Sequence, residues 1–432
     1  MFFKNHLTFQ TIFFTFRHSN FKFLLMSMIY LLRCVPCFFL ACLTLQSCNS
    51  SSSDIGITRA VNPVDYKKSD SLSLIYNPEK ADKRIDEFMK NLHRKYSFNG
   101  NVLIAKKGKI IYQNAIGWAD YLHRDSLEIN SVFELASVTK PLTATAIMIL
   151  IEEGKLNLNQ NVKEFYPSFP YEGITVKMLL THRSGMMNYV YFTDHIWKDK
   201  RKGMSNTDVM NLIAEHKPAP YSSPDKRFHY NNSNYMVLAA IIEKVSGKSY
   251  AEFMKERIFI PSGMKNTTVY SKVKYDKIPV DVVGHDRTWR RSVAQNFLDG
   301  PVGDKGVYGT IHDLFLFDRA MRQGRLLKKS SLDSMYAPRN EMEKGHFNYG
   351  YGWRMFENKG HKIVYHTGWW HGFRHIYLRD MSNDVTIVIL SNLTNGSLLK
   401  LDELYKMVGM PVIRRGAYGG NGNSILADSQ ED

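Results

Sequence analysis

The spacing of apolar positions changes period four times along the chain. Between 81 and 95, Ile85, Phe88, Met89 and Leu92 share a helical face and predict an amphipathic helix. The runs 101–105 and 109–113 flank Lys107-Gly108 and predict a β-hairpin. Residues 133–151 read as one helix, apolar nearly all round from Ala144 to Ile151 and therefore buried. Pro141 suits its opening turn and Gly154 its end. From 155 to 300 the patterns are mostly helical (175–180, 207–216, 234–246), joined by loops rich in Gly, Pro and Asn. A glycine-rich turn at 303–310 leads into a helix carrying Leu314, Phe315, Phe317 and Met321 on its apolar side. Strand patterns return at 352–356, 362–365, 373–378 and 385–390, and a helix follows at 397–407. Two strands, a helical insert, more strands and a last helix predict an α+β fold: an antiparallel β-sheet flanked by helices with an inserted mostly helical region. The predicted domain spans 81–410, with the sheet part in 81–155 and 300–410 and the insert in 156–299.

Composition alters the picture mainly at the ends. All four cysteines, Cys34, Cys37, Cys42 and Cys48, precede residue 49. Neither disulfides nor thiolate-bound zinc can then hold the domain. Residues 26–47 are apolar but interrupted by Arg33 and Pro36, and they end Leu45-Gln-Ser-Cys48 before a serine run. This resembles a bacterial lipoprotein signal in 1–47, with Cys48 as the lipidated residue; a transmembrane anchor or an ordinary signal peptide is the alternative. Residues 1–25 fit no signal pattern, as though translation begins at Met26 or Met28. Residues 48–80 read as a polar tether and 411–432 as a disordered tail. The expected location is the bacterial cell envelope, lipid-anchored and facing the periplasm or the outside. The chain of 432 residues carries a net charge of +16. Its basic residues are scattered, the densest run being 198–202, so no nucleic-acid partner is expected.

Chemistry concentrates in three places. Ser137 and Lys140 lie one helical turn apart, so a lysine amine can reach a serine hydroxyl and take its proton. The pattern Ser-x-x-Lys occurs at least five more times, at Ser19, Ser223, Ser262, Ser271 and Ser397, and is weak alone. What lifts the Ser137 copy is the buried helix behind it together with two further motifs downstream in the right order. Tyr230-Asn-Asn232 stands in a turn before an apolar helix, where a phenol can shuttle a proton and an amide can hold a carbonyl. Tyr112-Gln-Asn114 matches as well, inside a strand pattern. His366-Thr367-Gly368 follows the 362–365 strand, with a glycine permitting close backbone approach and an imidazole partly charged near neutral pH. His366, His371 and His375 are expected to diverge, so neither a metal nor a cofactor is expected.

In that order the three motifs resemble the penicillin-recognising serine hydrolases: class C β-lactamases, D-alanyl-D-alanine peptidases and related esterases. The resemblance covers about 85–410 and includes 100–104, 133–140, 174–185 and 304–310. It implies that Ser137 is acylated, that Lys140 is its proton partner, and that Tyr230 passes the proton to the leaving group. It implies further that Asn232 binds the acyl group and that His366, Thr367 and Gly368 line the strand on which substrate lies. The oxyanion would sit between the backbone N–H groups of Ser137 and Trp369. Many relatives carry Lys where His366 stands, which argues against a dedicated β-lactamase. Trp369-Trp370 is bulkier than the small residues usual there and implies a narrowed or stacking cleft. No Gly-x-Ser-x-Gly elbow is present, which argues against an α/β-hydrolase. The expected protein is an envelope-anchored serine hydrolase cleaving D-amino-acid peptide, lactam, amide or ester bonds, with a small-molecule or peptidoglycan-like substrate. The alternative is a catalytically silent binding lipoprotein of the same fold.

Overall fold

The structure is a computed structural model that describes residues 76–275, 278, 280–287, 291–339 and 347–413. The expected signal segment, Cys48, residues 48–75 of the tether and 414–432 of the tail lie outside the described residues. Among those described, no helix is long and apolar enough to cross a membrane.

Seven antiparallel strands form the main sheet: β1 (Gly100–Lys106), β2 (Lys109–Ile116), β3 (Phe347–Tyr349), β4 (Arg354–Asn358), β5 (His361–Trp370), β6 (Phe373–Asp380) and β7 (Val385–Ser391). Their spatial order is β2-β1-β7-β6-β5-β4-β3, so the first hairpin joins the C-terminal strands through β1–β7. Side chains alternate between two cores. Val102, Ile104, Ile387 and Ile389 face the Lys83–Tyr96 helix, whose Ile85, Met89 and Leu92 are buried against them with Leu404 and Tyr405. Leu103, Ala105, Val388 and Leu390 face the helical layer instead. That layer contains the Thr139–Glu152, Asn232–Ser246 and Ile311–Arg322 helices. The Asn232–Ser246 helix is buried continuously from Ser233 to Ile242. This is the expected α+β arrangement of an antiparallel sheet, flanking helices and a mostly helical insert.

Two expectations about local structure are corrected. Residues 133–151 are not one helix. Phe133–Glu134 is a strand paired with Val307–Gly309, Ala136–Val138 is a 3-10 turn, and the α-helix begins at Thr139. The Leu135 N–H is taken by Val307 O at 2.8 Å, and Ala136 has φ +49°, which an α-helix running through 133–151 cannot include. The His-Thr-Gly motif does not follow its strand but lies inside it. His366, Thr367 and Gly368 pair with Tyr377, Ile376 and His375 as β5 runs on to Trp370.

Candidate active site

The turn Ala136–Val138 sets Ser137 at the mouth of the Thr139–Glu152 helix. The positive φ at Ala136 is a strained backbone for a residue with a Cβ, and it stands next to Ser137. Lys140 is fully buried in the first turn. Its Nζ lies 2.9 Å from Ser137 Oγ, 2.7 Å from Asn232 Oδ1 and 3.1 Å from the main-chain oxygen of Asp304. Residues 92 and 164 positions away along the chain therefore meet one amine. The same Nζ lies 4.8 Å from the centre of the Tyr230 ring.

Tyr230 and Asn232 owe their position to the segment 181–187. Asn231 caps the Asn232–Ser246 helix through Ser233 N at 2.8 Å and donates to Met186 O at 2.5 Å. His182 stacks on Tyr230 with ring centres 4.4 Å apart. Its Nδ1 accepts from Asn231 N at 3.1 Å and from Asn234 Nδ2 at 3.0 Å. Burial, reinforced by the positive charges of Lys140 and Arg354, holds His182 well below its ordinary pKa. The ring is neutral, so its hydrogen is on Nε2, 3.2 Å from Tyr349 Oη.

The hydrogen-bond direction now propagates. Tyr349 Oη lies 3.2 Å from His366 Nε2, and His366 Nδ1 lies 2.7 Å from Thr367 O, which can only accept. His366 thus carries its hydrogen on Nδ1 and accepts from Tyr349 on Nε2. Burial, then Arg354 and Lys140, push its pKa well down. The expectation of a partly charged donor at His366 is corrected: it is a neutral, fully buried ring at the end of a hydrogen-bonded chain.

Thr367 is also buried, and its Oγ1 has no hydrogen-bond partner in the structure. Gly368 is required by contact rather than by φ. A Cβ there would stand 2.7 Å from Leu135 O and 2.9 Å from His375 Cδ2, so the glycine lets β5 press against the turn that carries Ser137. His375 holds the same turn by donating from Nε2 to Glu134 O at 2.6 Å, while its Nδ1 accepts from Ser391 N at 3.2 Å. Trp369 stays 38% exposed at the cleft. The structure therefore brings Ser137, Lys140, Tyr230 and Asn232 to one point and lays His366-Thr367-Gly368 alongside.

Several contributors escaped the sequence reading. Arg354 on β4 places its guanidinium 4.7 Å from the Tyr230 ring centre. Nothing local distinguishes it from any strand arginine. Tyr349 and His182 give no signal individually, although His182 lies within the stretch 174–185 that carries the resemblance. Asp304 and Lys305 looked like turn residues. In fact the Asp304 main chain touches Lys140, and its carboxylate accepts from Tyr189 Oη at 3.0 Å. The three histidines have separate partners: His371 Nε2 lies 3.1 Å from Asp299 Oδ2, His366 Nε2 3.2 Å from Tyr349 Oη and His375 Nε2 2.6 Å from Glu134 O. Burial opposes the charged His371 ring, but Asp299 outweighs it and raises the pKa. Among the described residues no group of His, Cys, Asp or Glu could hold a metal.

Beside Ser137 opens a cavity of about 480 Å³. Asn232, Asp304, Lys305, Tyr191, Trp369 and Trp370 are among its walls, whereas Tyr230, Arg354 and His366 are not.

Known proteins agree with this architecture. Penicillin-binding protein 4* of Bacillus subtilis is 35% identical over 324 residues, which cover 72% of this chain and 71% of that one. A penicillin-binding protein from Bacillus halodurans superposes with a TM-score of 0.66 at 24% identity, covering 74% of this chain and 98% of that one. The D-amino acid amidase of Ochrobactrum anthropi gives a TM-score of 0.64 at 20% identity, over 75% and 97%. The family profile described as "Beta-lactamase" matches residues 81–406. A seryl-lysyl centre on this fold, with that match across most of the chain, makes the protein a member of the β-lactamase family and a serine hydrolase.

Proposed function

We propose that the protein is a lipid-anchored hydrolase of the bacterial envelope, lipidated at Cys48, that works through an acyl-enzyme on Ser137. The observation that carries this reading is the environment of Lys140 Nζ. The three oxygens around it match the three hydrogens of its ammonium form, and after giving up one proton the amine keeps two hydrogens and gains one lone pair. Asn232 Oδ1 and Asp304 O are acceptors for the two hydrogens, and the lone pair is left for the Ser137 hydroxyl hydrogen. Ser137 Oγ then bonds to the substrate carbonyl carbon as its proton moves to Lys140. The bond to the leaving group breaks, and the proton passes by way of Tyr230 to the departing nitrogen or oxygen. Main-chain N–H groups of Ser137 and Trp369 receive the oxyanion. Water repeats the attack and frees Ser137.

The substrates are amides, esters, lactams or peptides of D-amino acids, including peptidoglycan fragments. An amidase of D-amino acids and penicillin-binding proteins share the fold, and this supports the choice. The test is mass spectrometry after exposure to a fluorophosphonate. One covalent adduct on Ser137, lost in Ser137→Ala, is expected. Hydrolysis of p-nitrophenyl butyrate should fall by about 10³-fold or more in Lys140→Ala, the scale on which nucleophile activation matters. No adduct with any acylating probe would refute the reading and favour a silent binding protein. Globomycin sensitivity of processing checks the anchor at Cys48.

A further inference from the structure

The cavity beside Ser137 has a sidedness that the catalytic groups define. In the acyl-enzyme reading, on which this inference rests, Tyr230 serves the leaving group, which therefore departs on the side of Tyr230, Arg354 and His366. None of those three lines the cavity. The cavity accordingly receives the acyl group.

Its walls say what kind. Exposed large hydrophobic side chains are few among the described residues, and two of them, Tyr191 (46%) and Trp369 (38%), line this one cavity, with Val190, Val293 and Trp370. Trp369 has a cationic neighbour. Its register partner on β6 is Arg374, whose guanidinium lies 4.7 Å from the indole centre. Arg374 is itself nearly buried, and burial brings its pKa down to about 10, so it stays charged at neutral pH. One face of the indole is thus covered by a fixed cation, which orients the ring and draws electron density from it. Trp370 is anchored too, donating from Nε1 to Asp299 Oδ1 at 2.6 Å. Rigid aromatic walls give large contact area with little conformational entropy to lose on binding.

We propose that this cavity selects substrates whose acyl group carries a flat aromatic ring, seated against Trp369 and Tyr191. Ring-on-ring contact adds to simple area burial, so an aromatic acyl group gains over an aliphatic one of equal size.

The experiment compares kcat/KM for the p-nitrophenyl esters of phenylacetate, cyclohexylacetate and acetate. The native protein should prefer phenylacetate over acetate by about tenfold or more, and phenylacetate over cyclohexylacetate by about threefold or more. Trp369→Ala and Tyr191→Ala should each lower the phenylacetate-to-acetate ratio by about three- to tenfold, whatever happens to absolute rates. Trp369→Phe, which retains a ring, should keep most of it. Fluorophosphonate labelling of Ser137 shows which variants are folded. A ratio unchanged in both alanine variants, or cyclohexylacetate matching phenylacetate, overturns the ring pocket. If no ester is turned over and Ser137 stays unlabelled, the acyl-enzyme reading falls and this inference with it. Equal turnover of all three esters removes the ring pocket alone.

Discussion

Replacing Tyr349 by phenylalanine tests the chain of hydrogen bonds that supports the site. The substitution keeps the ring, which packs 4.8 Å from His182 and 5.6 Å from Phe228, and removes only the hydroxyl. His182 Nε2–H then loses its acceptor and His366 Nε2 its donor, each across a 3.2 Å bond between fully buried groups. A neutral buried hydrogen bond contributes roughly 0.5–1.5 kcal/mol, and an orphaned buried group costs about 1–3 kcal/mol. The bonds are long, so a loss of about 2 kcal/mol is expected, or about 3 °C in Tm for a domain of this size. Activity should fall further than stability. His182 fixes Asn231 N at 3.1 Å, and Asn231 lies between Tyr230 and Asn232. A displacement of that turn by a fraction of an ångström should lower kcat/KM by about tenfold. Urea denaturation gives the first number and ester hydrolysis the second. Imidazole ¹⁵N shifts in the native protein should show bare Nδ1 on His182 and bare Nε2 on His366. Native-like stability and kcat/KM in Tyr349→Phe, or the opposite tautomers, would refute the reasoning.

Two further outcomes follow from buried charge. His182 and His366 are held well below their ordinary pKa and His375 at about 4, chiefly by burial. Their unfolded rings titrate near 6.5. Below that pH the unfolded chain binds more protons, so the stability these rings contribute is present above pH 6.5 and lost as pH falls, His375 alone accounting for about 3 kcal/mol by pH 4. Glu134, raised to about 8 by burial, works in the other direction. Three rings outweigh one carboxyl, and urea midpoints should drop steadily from pH 6.5 to 4.5; a flat profile would contradict the neutral assignments. Separately, Asp318 is buried against Arg379 at 3.0 Å, Arg322 at 2.9 Å and Thr386 at 2.8 Å. Asp318→Asn leaves two guanidinium groups underpaired in the core and should cost about 3–5 kcal/mol in urea unfolding, whereas a cost below about 1 kcal/mol would show that the pair is solvated.

The elements were legible because each carries its own period. The 81–95 helix face, the hairpin around Lys107-Gly108 and the strands at 373–378 and 385–390 all appear near their predicted places. The 133–151 helix was misjudged at its start because pairing of Phe133 and Glu134 with Tyr308 and Gly309, and the bond from Leu135 N to Val307 O, captured residues 133–135. That pairing joins segments more than 170 residues apart, and no local pattern reports it. The extent of β5 was missed for a similar reason: His366 to Trp370 are strand because β6 is beside them, not because their composition favours it.

Order and residue type of the three motifs were enough to assign the family and to single out Ser137 as the candidate nucleophile, since the proposed chemistry needs a hydroxyl, an amine and a phenol. Tertiary packing alone decided the rest. It gave Lys140 its two fixed acceptors, made His366 a neutral ring that accepts on Nε2 rather than a partly charged one, and brought Arg354 over Tyr230. Those properties depend on burial and on neighbours remote in sequence. Charge state and hydrogen-bond direction are set by whatever closes around a side chain, and that is not written in its immediate neighbours.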